Sequence, residues 1–179
     1  MAETAQPPQA GAASATNPPR LMIQTQYVKD LSFENPRAPA SLEPGQGRPE
    51  IQVQVDVRAT ALASERYEVV LQLHVDAKSG GETGFVMELV YGGLFGLVNI
   101  PADSLQALLL IECPRLLFPF ARRIIADTTR DGGFPPLMLD PIDFASLYRR
   151  RQQQAEAQAQ SQGGGEPVPN PIVGNGQNS

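Results

Sequence analysis

A change in hydrophobic period near residue 100 is the feature that most limits how this chain can fold. Before it, residues 50–60 alternate strictly between apolar and polar side chains, the apolar ones being Ile51, Val53, Val55, Val57 and Ala59. This period-2 alternation is typical of a β-strand with one buried and one wetted face. Beyond Asp103 the apolar residues recur at intervals of three and four, which predicts an amphipathic helix. Strands therefore come first in this chain, and helices follow them.

Three more segments before residue 100 carry the same alternation, namely 21–28, 67–77 and 85–91. The links between the later strands are short and polar and contain Ser or Gly, so they predict antiparallel hairpins. Residues 35–49 hold four prolines and predict a long irregular crossover, a type of loop that is usually functional or mobile. Residues 92–96 are glycine-rich but lack the lysine of a phosphate-binding loop, and we expect a β-bulge or tight bend there.

The first helix is predicted to begin at a cap formed by Asp103 or Ser104 and to end at the two glycines 132–133. Pro114 and Pro119 lie inside it and predict a break or kink.

A second helix should begin near Asp143. It loses every large apolar side chain after Tyr148, so we expect it to fray beyond that residue. Together these elements predict an α+β fold, with a four-stranded antiparallel sheet and two C-terminal helices.

Both ends of the chain are poor in large apolar residues and rich in the small and polar residues of disordered segments. We expect residues 1–20 to be a disordered N-terminal extension and residues 151–179 to be a polar, flexible C-terminal tail. Residues 21–150 are enough to bury a core and are expected to form one domain.

Composition and charge argue against several classes of function. The formal net charge is −5 and the sequence pI is near 4.9, whereas a nucleic-acid or anionic-membrane partner would need a basic face. One Cys and one His exclude an internal disulfide and a zinc site built from His and Cys ligands. The N-terminus does not resemble a secretory signal, and unbroken apolar runs are far shorter than the ~20 residues of a membrane span. We therefore expect a cytoplasmic protein without direct membrane insertion.

Few residues suggest catalysis or metal binding. His74 lies on the polar face of its strand, where a solvated or hydrogen-bonded role is favoured over that of a general base. Cys113 lies in an apolar run and fits a small buried side chain, and there is no second histidine for a Cys–His pair elsewhere. No pair of carboxylates is singled out by its spacing. We expect no enzymatic activity, no cofactor and no bound metal.

The chain carries more apolar surface than one sheet face and one stripe of each helix would need. Between Leu108 and Ile125 the first helix is apolar on more than one face, so the extra surface must be buried against something. A second copy of the chain is the favoured cover, and a helix central to its own monomer is the alternative. Residues 29–34 place two carboxylates beside an apolar pair, which fits either a solvated strand edge or an acidic docking patch.

Five blocks of the sequence, in order and at matching spacing, resemble the SecB family of bacterial protein-export chaperones. The blocks are Lys29-Asp30-Leu31-Ser32-Phe33-Glu34, Tyr67-Glu68-Val69-Val70-Leu71, Glu88 with Gly92-Gly93-Leu94-Phe95, the run from Cys113-Pro114-Arg115 to Ala121-Arg122, and Gly133-Phe134-Pro135-Pro136-Leu137 continuing to Phe144. The resemblance covers about residues 21–150. Two features depart from the family pattern: the long N-terminal extension and the Arg- and Gln-rich segment after Tyr148.

The resemblance implies an ATP-independent holdase that keeps precursor proteins unfolded in the cytoplasm and delivers them to the SecA motor for export. It also implies a homotetramer, a dimer of dimers, in which we expect the interface to include Leu105, Leu109, Leu116 and Phe120. By match to the family's motor-contact residues, SecA would bind Asp30, Glu34, Val86 and Glu88. The alternative is a SecB-like chaperone that serves a different client system, such as a toxin–antitoxin pair, without SecA.

A holdase must bind many unfolded chains, which share exposed apolar side chains and unpaired backbone. The complementary surface is a long apolar groove that offers non-directional burial. We expect the groove to be flanked by the crossover 35–49 and lined by Ile51, Val53, Val55, Phe144, Leu147 and Tyr148. The alternative is that these six side chains pack the second helix on the sheet within one subunit.

Overall fold

The computed structural model of the chain describes residues 18–45 and 47–162. The expected disorder of residues 1–20 therefore concerns a segment that lies almost wholly outside the described residues, as does the end of the expected tail. The chain divides into two compact units, Met1–Asp140 and Pro141–Ser179. The first contains a four-stranded antiparallel sheet and a long helix, and the described part of the second contains a further helix. The predicted α+β fold is confirmed.

Four long strands form the sheet: β1 (Arg20–Glu34), β2 (Glu50–Ala63), β3 (Arg66–Ser79) and β4 (Glu82–Val98). Their order across the sheet is β1-β4-β3-β2, and every neighbouring pair is antiparallel. The two predicted hairpins join β2 to β3 and β3 to β4. The crossover 35–49 includes a short 3₁₀ turn (Ala40–Leu42) and carries the chain from one edge of the sheet to the other.

The glycine-rich segment 92–96 lies inside β4, so the predicted bulge or tight bend is wrong. Its pairing with β3 is unbroken from Arg66 opposite Gly96 to Ala77 opposite Phe85. The irregular positions nearby are in β1 instead, where residues 24 and 29 each fall between consecutive pairs with β4. An inserted residue of this kind bends the strand and re-aims its side chain.

The long helix has three parts: α1 (Ala102–Ala107), a π-helical turn (Leu108–Glu112) and α2 (Cys113–Asp131). The predicted irregularity is therefore present, and it lies just ahead of Pro114. Proline lacks the N–H group for the helical hydrogen bond and crowds the preceding turn, so a widened turn at this position relieves the conflict.

The two ends of this helix agree with the prediction to different degrees. α1 begins after Pro101, and among the described residues no side chain caps it, so the predicted caps Asp103 and Ser104 are wrong. α2 ends at Gly132 as predicted. The next residue, Gly133, has φ +88°, a conformation that terminates a helix and that glycine adopts without strain.

The core lies between this helix and the facing side of the sheet. α2 contacts β3 and β4, and the fully buried apolar side chains alternate along the strands and recur by turns along the helix. They include Val69, Leu71, Leu73, Val75, Leu89, Phe95, Leu117 and Ile125.

By length and composition alone, the helix Ala102–Asp131 is also apolar enough to cross a membrane. Of its most apolar stretch of 18 residues, 33% is buried in the structure. Unbroken apolar runs do not reveal this property, because charged residues interrupt them. A core helix has the same composition, and Leu117, Ala121 and Ile125 are fully buried in this fold. The helix therefore serves as the layer that covers the sheet.

The second unit contains α3 (Phe144–Gln162), which begins where the sequence predicts. The backbone N–H and the hydroxyl of Ser146 donate to the two oxygens of Asp143, at 3.0 and 2.6 Å. These hydrogen bonds lower the pKa of Asp143. The helix continues to Gln162 rather than fraying after Tyr148, because Arg, Gln, Ala and Glu are all good helix formers.

Candidate functional site

The two faces of the sheet differ in character. The inner face, which carries Leu71, Leu73 and Val75 on β3, is buried beneath the long helix. The outer face carries the alternate residues of that strand, among them His74 and Asp76, which are half-buried. The predicted docking residues lie on the outer face, and the predicted client-binding residues of β2 lie on the inner face.

The four residues predicted to bind SecA lie close together on β1 and β4. Glu34 is directly opposite Val86, and Asp30 is opposite Val90, which is two residues from Glu88. Opposite residues in a sheet are about 5 Å apart, and alternate residues of one strand are about 7 Å apart. We call Asp30, Glu34, Val86 and Glu88 the acidic patch. It presents the carboxylates of Glu34 and Glu88 beside the apolar Val86, with that of Asp30 further along β1.

His74 of β3 borders the acidic patch. It lies directly opposite Glu88, and its Nδ1 is 3.1 Å from Glu88 Oε1. Its Nε2 is 2.9 Å from Asp76 Oδ2, two residues along the same strand. Both ring nitrogens therefore face carboxylate oxygens, which confirms the hydrogen-bonded strand histidine that the alternation predicts.

A second polar cluster on the outer face ties β1 to β3, which are not neighbours. The Tyr27 hydroxyl donates a hydrogen bond to Glu68, and Lys29 Nζ donates to both oxygens of the same carboxylate, at 2.8 and 3.1 Å. Burial and the Glu68 carboxylate raise the pKa of Tyr27 to about 12. The hydrogen bonds from Lys29 and Tyr27 hold the pKa of Glu68 below its usual range.

An apolar row follows the inner face of β2, which is the sheet edge opposite β1. Ile51, Val53 and Val55 form this row and pair with buried residues of β3. Val53 is 39% exposed, whereas Val57, further along the row, is buried. The first half of the row is therefore accessible apolar surface within the Met1–Asp140 unit.

A cavity of about 350 Å³ adjoins the beginning of this row. The crossover, the β3–β4 hairpin and the loop after α2 supply its walls, which include Leu42, Ala77 and Phe134. Ala77 is the register partner of Ile51, so the cavity and the apolar row meet. Phe134 packs on Phe85 with ring centroids 4.8 Å apart, and Phe33 completes the three-ring cluster.

The other predicted groove residues, Phe144, Leu147 and Tyr148, lie in the first two turns of α3, in the second unit. Their spacing of three and four residues places them on one face of that helix. Leu147 and Tyr148 are half-buried, but Phe144 is only 1% exposed, so its side chain packs within its own chain and is not accessible to a client as predicted. Gln152 Nε2 donates to the Tyr148 hydroxyl oxygen, at 2.8 Å, one turn further on.

The four predicted interface residues of the long helix differ in exposure. Leu116 and Phe120 are 40% and 46% exposed and lie one turn apart on α2. Leu105 is half-buried, and Leu109 is buried within its own chain. An exposed Leu–Phe pair on a helix is an apolar surface that a single chain leaves uncovered.

Cys113 has the environment of a structural side chain. It is fully buried, and burial raises the pKa of its thiol to about 12, so the thiol stays protonated. Within residues 18–45 and 47–162, no group of three or more His, Cys, Asp or Glu side chains is arranged to hold a metal ion.

Sequence reasoning missed the cavity and the contact between His74 and Glu88. Counting pairs outward from Ser79 and Glu82 at the hairpin would place His74 opposite Met87. An extra residue, Gly84, shifts the pairing by one and brings Glu88 there instead. The alternation itself signals the shift, because directly opposite residues share a face and Met87 belongs to the apolar one.

Comparison with known proteins identifies the family. The sequence model described as preprotein translocase subunit SecB matches residues 14–155. A protein-export protein SecB of Bradyrhizobium sp. is 59% identical over 136 residues, which cover 76% of this chain and 84% of that protein. One of Rhodopseudomonas palustris is 56% identical over 144 residues, with coverages of 80% and 88%.

A solved structure shows the same fold at lower identity. The SecB-like chaperone of Mycobacterium tuberculosis, in complex with a peptide from an antitoxin, aligns with a TM-score of 0.59 and 19% identity. The alignment covers 69% of this chain and 91% of that one. The family match, the two close relatives and this fold together show that the chain belongs to the SecB family.

Proposed function

We propose that this protein is an ATP-independent holdase chaperone that keeps precursor proteins unfolded in the cytoplasm and delivers them to the SecA motor for export. Membership of the SecB family supports the chaperone role. The acidic patch is the observation that carries the delivery step. Clients and motor are assigned to opposite faces of the sheet, so both can be bound at once.

The client surface begins at the cavity and continues along the apolar row of β2. Unfolded chains differ in sequence, so a surface that holds many of them cannot depend on hydrogen bonds to particular side chains. Burial of apolar area is non-directional and contributes about 25 cal/mol per Å² before ordering costs. Leu42, Phe134, Ile51 and Val53 offer such area without the contribution of a partner. In the second unit, the half-buried α3 residues Leu147 and Tyr148 are proposed as a further surface for clients, whereas Phe144 is buried.

The acidic patch is the proposed docking surface for SecA. Glu34 and Glu88 lie beside Val86, and Asp30 extends the negative charge along β1, which suits a basic segment of the motor that also carries an apolar side chain. Exposed charge contacts set orientation and association rate more than affinity, and they weaken as salt rises. Docking should therefore be faster and tighter at low ionic strength.

The proposed assembly is a homotetramer built as a dimer of dimers. The exposed pair Leu116 and Phe120 supports an interface between long helices of different subunits.

A paired binding experiment tests the proposal. The double variant Asp30→Ala/Glu88→Lys should lose SecA binding in isothermal titration calorimetry, because it removes one patch charge and reverses another. Its affinity for a permanently unfolded polypeptide, such as reduced and carboxymethylated α-lactalbumin, should stay unchanged. A matched control, Asp103→Ala/Glu156→Lys, makes the same change of charge at exposed sites outside the patch and should bind SecA normally.

Two outcomes would contradict parts of the proposal. If the patch variant kept SecA affinity within a factor of two, the docking surface would lie elsewhere. If the unmodified protein bound the unfolded polypeptide but not SecA, the chain would serve a different client system.

A further inference from the structure

His74 is the chain's single histidine, and the role proposed for the acidic patch does not use it. Its ring lies between Glu88 Oε1, 3.1 Å from Nδ1, and Asp76 Oδ2, 2.9 Å from Nε2. Glu88 is itself a member of the acidic patch, and Asp76 is the register partner of Val86, a second member. A titratable ring therefore contacts the docking surface directly.

The protonation of the His74 ring decides how many of its two carboxylate contacts can be hydrogen bonds. A neutral imidazole carries one N–H, so it can donate to one carboxylate and must present a lone pair to the other. An imidazolium carries two N–H groups and satisfies Asp76 and Glu88 together. The charged ring therefore holds the Glu88 carboxylate in place and offsets its charge, whereas the neutral ring can release it.

The groups that face the His74 ring come from its own strand, from the two neighbouring strands and from β1. On β4 the facing group is Glu88, and on β3 it is Asp76. On β2, Gln54 is directly opposite, and the neighbouring Asp56 pairs with Arg58 at 3.0 Å. Beyond β4, the edge strand β1 adds the carboxylates of Asp30 and Glu34. Both contacts of the ring are to carboxylates, so a positive charge on the ring would be balanced by Asp76 and Glu88.

We propose that His74 is a positioning residue of the docking surface that makes the affinity for a basic partner depend on pH. At low pH the charged ring binds Glu88 and reduces the negative charge of the acidic patch, so docking is weaker. As the ring loses its proton, Glu88 is freed to pair with the partner, and docking strengthens. This inference rests on the proposed docking of SecA to the acidic patch.

The test compares SecA affinity of the full chain and of His74→Gln between pH 5.5 and 8 at constant ionic strength. Glutamine still donates and accepts hydrogen bonds but does not titrate, so its profile reports the titration of SecA and of the other patch groups. Relative to this profile, the unmodified protein should lose affinity by about three- to tenfold at the acid end, the size expected for one nearby charge in water. At pH 8 the two proteins should bind equally.

A second readout identifies the titrating group. Because the chain has one histidine, its imidazole C–H signals in proton NMR report the ring's protonation without assignment. The change in SecA affinity must follow the same pH course as these signals. If His74 had only a structural role, His74→Gln would change the melting temperature, but SecA affinity and the imidazole signals would not follow the same pH course.

The outcomes separate the two proposals. Superimposed pH profiles of the two proteins, with binding still abolished by Asp30→Ala/Glu88→Lys, would overturn the role of His74 and leave the docking surface intact. Loss of affinity in the unmodified protein at high rather than low pH would also overturn it. Absence of SecA binding at every pH would overturn both.

Discussion

The hydroxyl of Tyr27 in β1 lies 2.5 Å from Glu68 Oε1 in β3, and it reaches this carboxylate by passing over β4. The crossing point is Gly92, which is directly opposite Tyr27. A Cβ atom on Gly92 would lie 2.9 Å from the tyrosine ring, so the absence of a side chain makes room for it. The bulge residue Lys29 is aimed at the same carboxylate. One glycine and one bulge thus allow side chains of an edge strand to hydrogen-bond to a strand with which its backbone does not pair.

Gly92→Ala should destabilise the protein by about 1–3 kcal/mol, because the ring of Tyr27 must move and its hydrogen bond is strained. Urea unfolding at one fixed protein concentration measures the effect, since the stability of an oligomer depends on concentration. Gly96→Ala is the matched control in the same strand. The atoms nearest to its Cβ would be the flexible ends of Gln24 and Met22, at 3.3 and 3.4 Å. Equal losses in the two variants would contradict the prediction.

Glu68→Gln should make the melting temperature less dependent on pH in the acidic range. The pKa of Glu68 is lowered in the folded state by Lys29 and Tyr27, so the folded chain favours the carboxylate. That contribution is fully present above the unfolded pKa, about 4.3, and is lost as the pH falls through the lower folded value. The difference in melting temperature between the unmodified protein and Glu68→Gln should therefore shrink between pH 7 and pH 3. Glu82→Gln, which makes the same substitution at the exposed first residue of β4, is the matched control.

The strands and two of their three pairings could be predicted from the sequence, but the pairing of β1 could not. Each alternation identified a strand, and the short links identified two hairpins. The partner of β1 was open, because the crossover 35–49 is long enough to reach either edge of the β2–β3–β4 meander. Tyr27 and Glu68 therefore could not be brought together by spacing. The cavity was missed for the same reason, since its walls come from three segments that are distant in sequence.

Leu116→Asp/Phe120→Asp should break the assembly. Both side chains are exposed in the single chain, so a folded monomer tolerates the charges, whereas burial of an unpaired carboxylate in an interface costs several kcal/mol, ~3 or more. Light scattering at micromolar concentration should give about four times 19.3 kDa for the unmodified protein and a smaller mass for the variant. Leu62→Asp, at a 53% exposed site near the β2–β3 hairpin, is the control and should remain a tetramer. A tetramer that survives the double substitution would place the interface elsewhere.

Val53→Asp should weaken the binding of unfolded polypeptides by about tenfold, because it places a charge in the middle of the accessible apolar row. Gln52→Asp is the matched control: it adds the same charge one residue away, on the outer face of the same strand, and should leave client affinity unchanged. Fluorescence anisotropy with labelled, carboxymethylated α-lactalbumin measures both.

Tyr148→Ala/Leu147→Ser extends the test to α3 and should weaken the same binding severalfold. A large fall in melting temperature without a loss of client affinity would mean that Leu147 and Tyr148 serve packing, and the groove would then be confined to β2 and the cavity beside it.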